Sequence, residues 1–399
     1  MWDESFLWGV MSVNALQEAG LPFELIRADE VGKGGLEKYG LLFVPGGWSS
    51  NKMKALGEAG VGAIRKFVNA GGDYLGFCGG AGLATLDGIG LLNIRRRPTK
   101  DRVPSFSGRI RLRTADHPVL DKIASPVFHA WWPPQFMVED DRIKVLAQYE
   151  NPLPDAFSSD LNVGDVKDFG SWADLEKTYG INLDPGRIFD EPAVVEGSCG
   201  KGKVILSLVH FDTPGDPNGM TVLRELWKYF SAQDEPTPAS GKERASTDSA
   251  GRYIQGISEL ESAVAGIIDL GLRNFLWFWK NHMLLQWRRG VRGLEYCTLY
   301  IMIREISALA QTCPPEKIAY VEDRIKEISG PLVYFSGKAK RLLILERLAM
   351  QKNHITYEKC DDTEIRALRE ELFSASKSHG GLFKKVVDDM DSLLYSLLR

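Results

Sequence analysis

The chain has 399 residues, 44% of them hydrophobic and 26% charged, with a formal net charge of −4. That apolar content supports more than one core, and the small charge argues against a nucleic-acid or anionic-membrane binder. Five cysteines without a CxxC pair exclude a disulfide framework or zinc ribbon and point to a reducing, cytoplasmic setting.

The first twenty residues lack a basic n-region and a continuous apolar stretch, and Asp3 and Glu4 oppose a signal peptide. "PFELIRA" (22–28) and "GLLFVPGG" (40–47) read as strands, 54–72 as a helix closed by Gly71-Gly72, and "DYLGF" (73–77) as the next strand. Strand, helix, strand in that order predicts parallel pairing. The section from about 100 to 190 reads as strand-rich, with "GRIRLRT" (108–114) alternating at period two. "KVILSLVHF" (203–211) is a near-continuous apolar run of the kind central parallel strands show, and 218–230 is the helix after it. The expected architecture for 1–231 is an open, doubly wound α/β sheet with a strand-rich insertion.

Residues 232–251 contain no large apolar side chain and are rich in Pro, Ser, Thr and charge, so they read as a disordered linker. Beyond it the apolar period becomes 3.6, predicting an all-α bundle over 252–399. Its helices are expected at 256–289, 292–312, 315–328, 331–352, 362–376 and 380–398, broken at Gly290, Pro314-Pro315, Gly330-Pro331 and Gly380-Gly381. The most apolar stretch, 264–279, is interrupted by Asp269, Arg273 and Asn274 and falls short of the roughly 20 residues of a membrane span. The aromatic run 274–292 reads as bundle core. His282, Cys297, Cys313 and Cys360 have no ligand spacing, so no metal is expected.

Chemistry concentrates beyond the strand ends, where open parallel sheets bind ligands. Cys78, in "GFCGGAG", sits between glycines at a strand-to-helix turn; small neighbours are what a nucleophile elbow requires, and a following helix N-terminus favours a thiolate. An isolated cysteine is more commonly a small buried hydrophobe, and the glycine bracket argues against that here. The turn "VPGGW" presents Gly46, Gly47 and Trp48, and with Gly79 it supplies backbone N–H groups suited to an oxyanion. His210 ends the apolar run 203–209 and Asp212 follows it, a base and a carboxylate to orient it. Asp3, Glu4, His129, Trp131 and Trp132 are candidate pocket-lining residues, with surface charge and ordinary packing as the alternatives.

"VPGGW", "GFCGGAG" and "GKVILSLVHFD", together with "WDESFLWG" (2–9) and "FHAWWPPQF" (128–136), resemble the class I glutamine amidotransferase-like superfamily, in particular its biotin–protein ligase N-terminal-type domain. The resemblance covers about 1–231 and implies a flavodoxin-like sheet, Cys78 as nucleophile, His210 as base, Asp212 as third member and Gly46-Gly47 as the oxyanion loop. Two departures stand out: Gly82 replaces the usual Gln four residues after the cysteine, and His-Phe-Asp replaces His-x-Glu. The ligase catalytic half is absent, with neither a G-R-G-R-type loop nor a K-W-P-N motif, so biotin ligation is not expected. Only Met1 precedes Trp2, where that fold has its first strand: either the start is assigned late or the strand is lost, and if it is missing the sheet loses a central member.

Two functional classes follow. One is a cysteine-dependent amide hydrolase or acyl-transfer enzyme acting on a small-molecule amide or acyl substrate. The other is a binding protein that keeps the pocket without turnover and engages a protein partner through 252–399. No P-loop or dinucleotide fingerprint is present, so no cofactor is expected.

Overall fold

The computed structural model describes residues 1–231, 254, 256–352, 355–357, 360–375 and 378–399; the expected linker 232–251 lies outside the described residues. The chain divides into two compact units, Met1–Gly241 and Lys242–Arg399.

The first unit is an α/β fold built on a nine-stranded mixed sheet. Its strand order is Leu41–Val44, Asp73–Phe77, Gly202–Ser207, Pro192–Cys199, Lys144–Pro152, Phe106–Thr114, Phe157–Ser158 and Leu161–Asn162, with Val127–Trp131 also paired to Phe106–Thr114. Parallel pairing is confined to the first three strands, with Leu41 beside Asp73 and Val204 beside Tyr74. Every other ladder is antiparallel. The expectation of a parallel, doubly wound sheet therefore holds for the three-stranded core alone. Most of the inserted strands join the same sheet, and Phe136–Val138 instead pairs antiparallel with Ile94–Arg96 in a separate two-stranded ladder. Burial explains the split: Asp73–Phe77 and Gly202–Ser207 are almost wholly buried, as parallel strands covered on both faces must be, whereas Phe106–Thr114 alternates buried and exposed residues.

Residues 22–27 form no strand. They run extended beside the edge strand Leu41–Val44, and the chain start is tied between the two: the Met1 amine donates to Phe43 O at 2.6 Å and Trp2 N–H to Ile26 O at 2.9 Å. A cavity of about 230 Å³ opens here, lined by Met1, Ser12, Phe23, Leu41, Phe43 and Trp227 among others. Burial, then the nearby Lys52 charge, push the Met1 amine down to about 5. The helix Ser49–Ala70 starts earlier than its apolar period suggests, is interrupted at Gly57, and ends where Gly71 adopts φ +118°, a conformation glycine takes without a Cβ penalty.

The second unit is helical, with helices Ile257–Arg273, Gly293–Thr312, Ile318–Lys352, Thr363–Phe373 and Gly381–Leu398. Two expectations change. The predicted helix 256–289 stops at Arg273 and gives way to a hairpin, Trp277–Trp279 against Leu285–Trp287. Its turn is set by Asn281, whose Oδ1 accepts from Met283 N and Leu284 N at 2.8 Å each. Trp277 packs where Gly271 has no side chain and donates Nε1–H to Ile268 O at 3.0 Å. The predicted break at Gly330-Pro331 is absent, and one helix runs through Pro331. Its buried residues Ile325, Ile328, Leu332, Phe335, Ala339 and Leu342 keep one unbroken apolar face, so tertiary packing overrides the proline.

Candidate active site

Cys78 caps the five-residue helix Gly79–Leu83 at φ +46°, ψ −101°. A non-glycine residue at positive φ costs on the order of 1–3 kcal/mol and persists only where surroundings enforce it. The flanking glycines show how. A Cβ at Gly79 would overlap Gly47 O, and one at Gly80 would overlap Val44 O, so the loop after the first strand and the turn after the second touch backbone to backbone. At Gly76 the same atom would stand 2.6 Å from Gly80 O. Cys78 N–H donates to Ser207 O at 2.8 Å, fastening the turn to the third parallel strand. The sulfur is half-buried and lies 3.9 Å from Trp131 O.

His210 is not on the strand, which ends at Ser207; the chain bends at Leu208 and Val209 before reaching it. Its N–H donates to His129 O at 2.8 Å. The ring is fully buried, stacks on Trp8 at 4.7 Å and rests against Gly46, where a Cβ would be 3.0 Å from His210 Cε1. Nδ1–H donates to Asp212 Oδ1 at 2.9 Å, while Nε2 is buried with no hydrogen-bond partner among the described residues. Burial pulls the imidazole pKa down, but Asp212, by charge and hydrogen bond, and then Cys78 reverse this and carry it to about 9. His210 therefore holds a proton at neutral pH. Asp212, itself buried, is held from its far side by Ser12, whose Oγ–H donates to Oδ2 at 2.5 Å.

The oxyanion candidates also converge. Gly47 lies at φ +115° against Glu4 O, and its N–H and that of Gly79 make no hydrogen bond among the described residues. Trp131 donates Nε1–H to Thr213 Oγ1 at 3.0 Å, and Trp132, at φ +50°, meets Trp8 edge to face at 6.3 Å. Trp48 is 40% exposed. Three pocket candidates have their side chains engaged elsewhere. The Asp3 carboxylate accepts from Ala28 N at 2.7 Å and Arg27 at 3.3 Å, Glu4 accepts from Asn51 at 3.1 Å, and His129 Nδ1 bonds Asp216 at 2.9 Å. Glu4 faces Gly47 with its backbone carbonyl instead.

Sequence pattern alone does not point to Ser12 or Trp8. The available signal is their i, i+4 spacing on the helix Leu7–Glu18, which puts both on one face and over the His210–Asp212 pair. Among the described residues no group of three or more His, Cys, Asp or Glu is arranged to hold a metal, and no helix is long and apolar enough to cross a membrane.

The family model for the N-terminal domain of biotin–protein ligase matches residues 36–87. This segment is of the biotin–protein ligase N-terminal type. It contains Gly46, Gly47 and Cys78 and stops short of His210 and Asp212. Among solved structures, a glutamine amidotransferase is 20% identical over 56% of this chain and 94% of its own, with a TM-score of 0.35. PurLQS from Thermotoga maritima is 18% identical over 55% of this chain and 92% of its own, with a TM-score of 0.39. No curated protein matches the sequence.

Proposed function

We propose that the α/β unit is a cysteine-dependent amide hydrolase or acyl-transfer enzyme. One observation carries this reading: a cysteine held at positive φ near a buried imidazole whose Nδ1 is fixed by a carboxylate. In the proposed reaction the Cys78 sulfur bonds the substrate carbonyl carbon as a thiolate, with the His210 imidazolium as its counter-charge. Negative charge moves to the carbonyl oxygen, facing the N–H groups of Gly47 and Gly79. His210 Nε2 gives its proton to the departing amine or alkoxide as the C–N or C–O bond breaks. Water or another acceptor, deprotonated by the now neutral imidazole, then cleaves the thioester and frees the sulfur. Asp212, steadied by Ser12, keeps the imidazole oriented throughout.

The test is turnover of an amide, ester and thioester panel by the full chain. Cys78→Ser is expected to cut the rate on any accepted compound by about a thousandfold or more. Because His210 must carry a proton for the leaving group, the rate should fall as pH rises through about 9. Turnover equal in Cys78→Ser and the native chain would refute the assignment.

Free glutamine is expected to remain intact. Gly82 offers no side-chain amide four residues after the nucleophile, and its place is occupied by Arg96, whose Cδ would lie 3.4 Å from a Cβ there. Ammonia release from glutamine that disappears in Cys78→Ala would overturn this.

A further inference from the structure

Arg96, Arg97 and Arg102 lie within one seven-residue stretch, and they are not equivalent. Arg97 donates to Glu191 at 2.7 Å, and Gln135 holds the other oxygen of that carboxylate, so both are consumed. Arg96 reaches across Gly82, donates to Ser49 Oγ at 2.7 Å, and meets Asp87 only at 3.6 Å. Arg102 has no ion pair among the described residues; its side chain makes a single hydrogen bond, to Thr99 Oγ1 at 3.3 Å, and its Nε is buried without a partner. The Arg102 guanidinium is lowered in pKa by burial and then by the Arg96 charge, while Cys78 raises it, which sets both arginines and the sulfur within reach of one another's fields.

A second, independent sign lies across the sheet. The Tyr149 side chain is fully buried and its hydroxyl has no hydrogen-bond partner among the described residues, and the groups that act on its ionisation after burial itself are Cys78 and then Glu191. A buried hydroxyl left unpaired costs about 1–3 kcal/mol, and two neighbouring guanidiniums with too little counter-charge repel each other. Both costs disappear if an oxyanion enters beside the sulfur, because guanidinium forks and a phenol hydroxyl are donors to the same kind of group.

We propose that Arg102, assisted by Arg96 and the Tyr149 hydroxyl, forms a subsite for an acidic group, carboxylate or phosphate, on the substrate that Cys78 attacks. The proposal rests on the reading of Cys78 as the nucleophile. It names the substrate class as an anionic amide, ester or thioester. It also fits a small residue at Gly82, beside which the Arg96 side chain lies at van der Waals distance.

The experiment uses two alkylating reagents of nearly the same shape, iodoacetate and iodoacetamide, with site-resolved mass spectrometry of the full chain. The native protein is expected to favour iodoacetate at Cys78, relative to a free thiol, by about tenfold through local field attraction. Arg102→Gln should abolish that preference, lowering the iodoacetate rate far more than the iodoacetamide rate, and Arg102→Lys should retain part of it. Arg96→Gln, whose melting curve reports folding independently, should lower the preference less. Protection of Cys78 from iodoacetamide by propionate or by methyl phosphate identifies which oxyanion the subsite prefers. Labelling by both reagents with no charge preference, or a preference indifferent to Arg102, overturns the subsite alone. Failure of both reagents to reach Cys78 overturns the nucleophile assignment and the subsite with it.

Discussion

Gly79→Ala is expected to destabilise the α/β unit by about 3 kcal/mol or more, at or beyond the upper end of ordinary overpacking. The added methyl would fall inside the contact radius of Gly47 O, and close to the carbonyl carbon and nitrogen of the same residue. All three are backbone atoms, so no rotamer change relieves the clash. The two loops must separate, and separating them also removes the enforcement that keeps Cys78 at positive φ. Gly82→Ala, three residues on in the same helix, is the matched comparison. Its Cβ would find Arg96 Cδ at 3.4 Å and Ser49 Oγ at 3.6 Å, ordinary contacts, so the change should be neutral or stabilising by up to about 1 kcal/mol through helix propensity. Urea unfolding of the two variants beside the native chain measures the difference; equal midpoints would refute the backbone-contact account of the glycine cluster.

Arg369→Ala is expected to cost the helical unit about 3–5 kcal/mol, the penalty for stranding one member of a buried ion pair. Arg369 donates Nε–H to Glu346 at 2.8 Å, and its other nitrogens donate to the carbonyls of Thr356, Tyr357 and Gly290 at 2.9 Å each. Both charged side chains are buried, and these bonds fasten the segment around 356–357 and the turn at Gly290 to the helix Thr363–Phe373. Truncation leaves Glu346 buried without its cation and three carbonyls without their donor. Arg341→Ala, which removes an exposed partner of Glu364, should change stability by less than about 1 kcal/mol. Thermal melts give the comparison, and an Arg369→Ala loss no larger than that of Arg341→Ala would sink the argument.

The parts of the site visible in sequence are those with a local cause. The glycines around Cys78 exist because two turns touch, and a crowd of glycines is legible without knowing what they touch. His210 and Asp212 stand close behind an apolar run, and strand ends can be found from the run itself. Ser12, Trp8, Arg102 and Tyr149 carry no such mark, because each reaches the site from a different element and only the fold brings them together. The fold shows the same division. Asp73–Phe77 is bounded by glycines and reads plainly, whereas 22–27 has strand composition but no strand paired to it among the described residues. In the helical unit the tryptophans at 277, 279 and 287 stand at even spacings, which suits a two-residue period better than a helical one. The choice fell to Asn281 turning the chain and to Gly271 making room for an indole.

Under the proposed function, the mixed polarity of the sheet divides labour between chemistry and recognition. The parallel strands send only their carboxyl ends to the site, and those ends carry Cys78 and, a short bend later, His210. The antiparallel strands beside them present beginnings as well as ends at the same edge: Val194 pairs with Ser207, which puts Glu191 there, and Ser107 pairs with Trp131, which brings the approach from Arg102 alongside the Trp131 carbonyl near the sulfur. Rewriting the connections of that half therefore alters what is admitted while leaving the sulfur and imidazole in place. An engineer seeking a new preference would build libraries at 97–105 and 132–135 and hold the three parallel strands constant.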